Sequence, residues 1–358
     1  MSKKTFLFLI VCSFFFSNLQ AQGLEETLNK LSSIVGTAYV KPVTSAFGSN
    51  LNSGWVTSAP SASILSLYLD LKVVGMGSFF SDAAKTFSEN GSFYFTQSQV
   101  DQILQNSNIT PATAGQLNYT ALQQKMVNTQ FTVNFTGPTV IGKKNDYLRI
   151  NFPGQTITSG TSSYTVNAYS VSLADVKGIL DEFPAFPTAA VQLTVGTVFG
   201  TNFSFRYFPS LNIDNMGKLS FYGFGLIHNP FVWLPAPMPI DVGVGFFTQK
   251  MKIGDIVETS ANQFGVFVSK TFGLVISITP YAGLTLESSK TTFKYNYQSN
   301  QLINGNPVPP VNVAFDIEGE NSSAAVVGFT LHLAVINISA DYKMSKTNTA
   351  TAGISFGL

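Results

Sequence analysis

The chain has 358 residues, a formal net charge of +1, and only 11% charged side chains against 13% aromatic ones, with 32 Phe; its mean hydropathy is +0.21. Charged residues usually make up about 25% of a chain, and one this apolar and this close to neutrality is not disordered. Two arginines, Arg149 and Arg206, and no basic stripe exclude a nucleic-acid surface; the length suits one large domain or two small ones.

The chain opens with a targeting pattern over residues 1–21. Lys3 and Lys4 precede an apolar run from Thr5 to Phe16, and Ala21 sits before a cut expected ahead of Gln22. The run is too short to span a bilayer, so it reads as a secretory signal peptide. Cys12, the only cysteine, lies inside that run, which leaves the mature chain without disulfides or thiol catalysis. Residues 22–62 follow as helix and loop. Leu24, Leu28, Leu31 and Val35 recur at helical spacing over Gly23–Val40, with Glu25 and Glu26 in the first turn. The stretch "KPVTSAFGSNLNSGW" is rich in Gly, Ser and Asn and reads as loop. Two placements fit this plug-like segment: inside the lumen of a barrel, or packed beneath it.

From residue 63 to 358 the apolar period becomes two. In the first strand, Ile64 to Gly77, Leu65, Leu67, Leu69, Leu71 and Val73 share one face, and Ser66, Tyr68, Asp70 and Lys72 the other. Residues 79–127 interrupt the pattern with helix-like stretches, "TQSQVDQILQNS" capped by Thr96 or Ser98 and "TAGQLNYTALQQKM", which read as a long excursion between strands. Strands resume at "QFTVNFTG" and continue to the last residues, where Ala350, Ala352, Ile354, Phe356 and Leu358 form one apolar face. No window of about 18 apolar residues follows the signal, so no membrane helix is predicted.

Segments of about ten residues match a tilted bilayer crossing, and charges stand mid-strand on the polar face. The prediction is therefore an all-β fold: a transmembrane antiparallel barrel of about 14 strands (range about 12–16), preceded by the short helical segment. It places the chain in the outer membrane of a Gram-negative cell, in contact with outer-membrane lipid. The last strand, with Ile354, Phe356 and Leu358, resembles the signal that barrel assembly machinery reads.

Several stretches carry a family resemblance: "AYVKPVTSAFGSNLNSGW", "GKLSFYGFGLIHN" with "WLPAPMPID", "TPYAGLTLESSK", "FDIEGENS" and "LAVINISADYKMS". On them the chain resembles an outer-membrane β-barrel family of unknown function from Bacteroidota. In layout it is also similar to the FadL-type channels for hydrophobic compounds, although the NPA-type motif of their N-terminal hatch is absent.

No residues assemble a reaction centre on paper. His228 and His332 are far apart, neither "GENSSAA" nor "NSGW" holds a nucleophile motif of the G-x-S-x-G kind, and no cofactor or metal is expected. A Ser220–His228–Asn229 arrangement is weighed and set aside, since closeness in sequence is not geometry. The loop "HNPFVWLPAPMP" either anchors Trp233 at the headgroup level or folds into the pore. Asp70, Lys72, Arg206, Asp241, Asp316, Glu318, Asp341 and Lys343 are expected to line the lumen, either along a permeation path or as bracing pairs. The chain is thus expected to be no enzyme but a passive channel or binding protein for small hydrophobic molecules, with a non-transporting surface or structural barrel as the alternative.

Overall fold

The computed structural model describes residues 21–358 except 161, 175, 182, 214–216, 236–237, 298–301, 304–305, 308–310 and 358. Residues 1–20 of the expected signal peptide and Leu358 therefore lie outside the described residues. The chain divides into two units: Met1–Val40, Ala83–Asp181 and Tyr295–Val313 form one, and Lys41–Asp82, Glu182–Lys294 and Ala314–Leu358 the other.

The second unit is a closed antiparallel barrel. Its strands are β1 (Leu65–Phe79), β2 (Ala185–Val198), β3 (Thr201–Ile213), β4 (Gly217–His228), β5 (Asp241–Ile253), β6 (Val257–Ser269), β7 (Ile276–Tyr297), β8 (Ser323–Leu333), β9 (Ile336–Met344) and β10 (Thr349–Gly357). Each pairs with the next in sequence. The ring closes where β1 meets β10, with Val73 opposite Ile354 and Lys72 opposite Ser355. Closure gives the C-terminal strand a partner on both sides and removes the edge that a terminal strand would otherwise leave open.

The ring has ten strands, fewer than the predicted number. "QFTVNFTG", "DYLRINF" and "SYTVNAYSV" alternate as strands do but belong to the insertion after β1. "VISITPYAGLTLES" and "TTFKYNY" are one continuous strand, β7, and Val311–Glu318 pairs with β7 without entering the ring. Period two marks a half-buried strand and does not say in which sheet it lies.

The distribution of polarity around the barrel is inverted relative to a water-soluble protein. Large apolar residues point outward on every side: Leu67 is 84% exposed, Leu226 51%, Phe246 50% and Phe356 59%. The inward positions are polar and closed off: Lys72, Gln192, Arg206, Gln249, Gln263, Glu287, Lys343 and Thr349 are all buried. Alternation along β1 produces this directly, with Leu69, Leu71 and Val73 outside and Asp70 and Lys72 inside.

The first unit has a core of its own. Strands Thr86–Phe93, Phe131–Pro138, Leu148–Phe152 and Tyr169–Leu173 pair in that order. Val133, Phe135, Leu148 and Leu173 pack against Leu31 and Val35 of the N-terminal helix. A second cluster joins the helices Gln97–Asn106 and Gln116–Val127 through Val100, Leu104, Leu122 and Met126 to Phe131 and Ile157. Thr96, not Ser98, caps the first of these: its hydroxyl accepts from Gln99 N–H while Gln99 answers to the Thr96 N–H, a reciprocal capping box. The insertion is thus larger than the helical 79–127 expected, because its second half supplies further strands, among them the Gln155–Ser159 and Ser162–Val166 hairpin against which the second helix packs.

The N-terminal helix also differs from expectation. It runs from Ala21 to Leu51, through Pro42, where a loop is predicted from Lys41 onward. Gly, Ser and Asn lower helix propensity, but burial overrides it here: Thr44 to Asn50 are all buried within the barrel unit. Small residues are what a helix in so narrow a lumen requires. A Cβ on Gly48 would overlap the Ser289 side chain.

Candidate functional site: the plugged lumen

The lumen is filled by the chain itself. The helix enters at the end where β1 finishes, ends at Leu51 inside the barrel, and continues as an irregular segment to the opposite end, where β1 begins. A helix C-terminus leaves carbonyls without intrahelical donors and carries partial negative charge. Both requirements are met by inward side chains. Lys343 Nζ donates to the Ser49 carbonyl at 2.8 Å, and Gln249 Nε2 and Trp55 Nε1 (3.0 Å) donate to Leu51.

The same pattern extends down the barrel. Gln263 Nε2 donates to Asn52 O at 2.8 Å, Arg206 Nη1 to Ser53 O at 3.0 Å, Lys72 Nζ to Gly54 O at 2.8 Å and Gln192 Nε2 to Trp55 O at 3.0 Å. Thr330 Oγ1 donates to Thr57 O at 2.8 Å, and Asn229 Nδ2 to Pro60 O at 2.6 Å. Buried carbonyls need donors, and here they come from β1, β2, β3, β5, β6, β8, β9 and the residue after β4. Hydrogen bonds from charged donors contribute about 1.5–3 kcal/mol each, which makes Lys72, Arg206 and Lys343 the strongest grips.

Arg206 also lies 4.0 Å over the Trp55 ring, and its Nε and Nη2 both donate to Gln192 Oε1. Trp55 packs on Phe247 at 5.1 Å between centroids, in a cluster with Val56, Ile227 and Phe267. Glycine makes the room: a Cβ at Gly225 would overlap Phe247 and come within 3.3 Å of Trp55. Lys343 is held in turn by Glu287, at 2.9 Å from Oε2, with neither side chain exposed. Gln263 and Thr285 complete the carboxylate's shell at 3.1 and 3.0 Å.

The residues singled out from sequence fall into two groups. Asp70, Lys72, Arg206 and Lys343 are buried in the lumen, and Asp341, half-buried there, accepts from Tyr281 Oη at 2.8 Å. Asp241 stands half-buried at the start of β5, with Oδ1 3.5 Å from Asn229 Nδ2. Asp316 and Glu318 are exposed and do not line the lumen. Asp316 sits outside the ring on the strand paired with β7, 2.7 Å from Lys290, whose ammonium holds its carboxyl below the usual range together with Thr292.

The segment named as the plug also changes. Leu31 and Val35 pack in the other unit, the side chains of Leu24 and Leu28 lie outside the described residues, and the lumen is filled from Thr44 onward. Glu287, Gln192, Gln249, Gln263 and Trp55 were not singled out. Neutral inward Gln and Thr look in sequence like any polar strand face.

The protein-family scan matches the whole chain, residues 1–358, to a family of unknown function, DUF6588. The chain belongs to that family. No curated protein matches this DUF6588 chain. Among solved structures it is similar to LpxR from Salmonella typhimurium, at 9% identity and a TM-score of 0.28, covering 80% of this chain and 99% of that one. It is also similar to the β domain of the Bordetella autotransporter BrkA, at 8% identity and 0.28, covering 82% and 100%. The N-terminal barrel domain of Pseudomonas aeruginosa OprF gives 16% identity and 0.21, covering 44% and 94%. The barrel assignment rests on the strand pairing of the DUF6588 chain itself.

Both histidines are engaged by neighbouring side chains. His228 Nδ1 meets Thr201 Oγ1 at 2.9 Å, and its Nε2 accepts from Trp233 Nε1 at 3.2 Å. Ser220 lies eight positions away on the same strand, roughly 26 Å at 3.3 Å per residue, so no Ser–His–Asn set forms. His332 is taken up by Thr279 and Asn337. Among the described residues no group of three or more His, Cys, Asp or Glu is placed to hold a metal ion, and no helix is long and apolar enough to cross a membrane.

Proposed function

We propose that this chain is an outer-membrane barrel sealed by its own N-terminal segment, which anchors the 83–181 insertion at the cell surface and does not conduct solutes at rest. The carrying observation is the grip on residues 49–60, whose carbonyls are met by side chains from most of the barrel wall. The membrane reading rests on the apolar outer face and the buried polar inner face.

Orientation follows from loop length. The two-residue turn at 199–200 and the C-terminus share one end, and the long 80–184 connection leaves from the other. Outer-membrane barrels keep short turns on the periplasmic side and long loops outside. The N-terminal helix then enters the lumen from the outer side. Trp233, exposed and stacked on Phe199 at 5.3 Å, anchors the 229–240 loop at the inner interface. Ile354 and Phe356 present the exposed apolar face that assembly machinery would read.

Passage of small hydrophobic molecules, as in FadL-type channels, is the second reading, supported by the abundance of aromatic residues. It requires the plug to move, because the lumen wall is lined by Lys72, Gln192, Arg206, Gln249 and Gln263. Protease applied to intact cells tests the first reading. Cleavage within 83–181, with a barrel band that stays in the outer-membrane fraction and migrates differently before and after boiling, is the expected result. Protection of that segment on intact cells would contradict surface display.

A further inference from the structure

On the outer wall, three neighbouring strands set large residues on either side of small ones. Leu284 of β7 faces Ala325 of β8, which faces Met344 of β9; one step along, Leu286 faces Ser323. Val266 and Phe264 of β6 back the same two leucines. Cross-strand partners stand only about 4.5–5.5 Å apart, so a small residue between large ones makes a furrow, not a gap. Along β8 the outward residues grow from Ser323 and Ala325 to Val327 and Phe329, which closes the furrow at one end.

The open furrow has a volume of about 760 Å³, with Glu320, Ser322, Ser345 and Lys346 at one end. That lies within the roughly 300–1,000 Å³ typical of small-molecule sites. The mouth carries a net positive charge. Glu320 is met by Lys41 at 3.2 Å, while Lys346 is exposed and has no ionic partner among the described residues.

We infer that this furrow is a binding site for an anionic membrane phospholipid, one acyl chain lying over Ala325 between Leu284 and Met344, and the phosphate meeting Lys346 and the exposed Ser322 hydroxyl at the mouth. The inference rests on the membrane-barrel reading, since only then does the furrow face lipid. A general lipid coat would explain an apolar surface. It would not explain an apolar furrow that ends at a cation and a hydroxyl donor, a pairing that matches chain and head group together.

The test uses the full-length folded protein, equilibrated with vesicles of equal phosphatidylglycerol and phosphatidylcholine, re-extracted in detergent and weighed intact by native mass spectrometry. Wild type is expected to retain a single phosphatidylglycerol in preference to phosphatidylcholine. Ala325→Phe, which fills the furrow from outside, is expected to cut retention about tenfold, and Lys346→Glu to abolish the preference. Equal retention of both lipids by wild type, unchanged retention in Ala325→Phe, or a protein dimer as the retained species would overturn the site. Failure of the membrane reading shows separately, as loss of the heat-dependent gel shift and of partition into vesicles.

Discussion

Replacing residues 49–60 one for one with alternating Gly and Ser is expected to turn a barrel that is silent in a planar bilayer into one with resolved conductance steps. In the native chain that segment brings Trp55, Val56 and Leu51 into contact with Phe247, Phe267 and Met251, and its carbonyls hold the long inward side chains in place. A Gly/Ser chain keeps the carbonyls but loses the apolar contacts. Burying a Trp or Leu side chain is worth about 1.5–3 kcal/mol or more, so without those residues the backbone bonds must compete alone with water. Water then reaches Lys72, Arg206 and Lys343, which hydrate readily. A replaced segment that leaves the bilayer as quiet as wild type would mean that the lumen is closed by something other than this stretch.

The second large effect concerns the Lys343–Glu287 pair. Both side chains are fully enclosed, and Glu287 also accepts from Gln263 and Thr285. Lys343→Met strands a buried carboxylate and withdraws the donor from the Ser49 carbonyl, a loss of about 3–5 kcal/mol. Lys343→Met with Glu287→Gln removes the stranded charge while keeping an acceptor for Thr285, so it is expected to recover most of that loss. Denaturant midpoints of the fast-migrating folded band in detergent read both. Equal destabilisation by the single and double variants would show that the charge itself is not what the lumen cannot tolerate. Lys290→Met, at the exposed pair with Asp316, is the control and is expected to leave the midpoint unchanged.

How far these features were legible depended on what alternation can and cannot carry. Period two marked β1 and β10 with one apolar face each, and that face points outward, because lipid on one side and a packed lumen on the other impose opposite polarity on neighbouring residues. It could not separate ring strands from the insertion's sheet, whose residues Phe131, Val133 and Phe135 alternate for the same reason against a different core. The helix was legible to Val40, where apolar spacing sustains it. Beyond that, Ser45, Gly48, Ser49 and Asn50 are helical because of what surrounds them, and a neighbouring barrel wall leaves no trace in their own propensities. Charges gave away Lys72, Arg206 and Lys343, while Gln192, Gln249 and Gln263, which perform the same task on adjacent carbonyls, are indistinguishable from surface glutamines until the ring is closed. Asp316 shows the converse error, since a charge at strand period need not belong to a strand of the ring.

The central claim is that the N-terminal helix ends inside the barrel, and one cross-link tests it most directly. Ser49 Oγ lies 2.6 Å from Thr349 Oγ1, across 300 residues of sequence, with both side chains buried. The only native cysteine, Cys12, falls in the expected signal peptide, so a Ser49→Cys, Thr349→Cys variant has no competing thiol in the mature chain. Under mild oxidation in native outer membranes the pair is expected to form a disulfide, seen as a mobility shift that reductant reverses and that each single variant lacks. A folded, heat-modifiable barrel in which both thiols stay free and react with a membrane-permeant reagent would contradict a helix seated in the lumen.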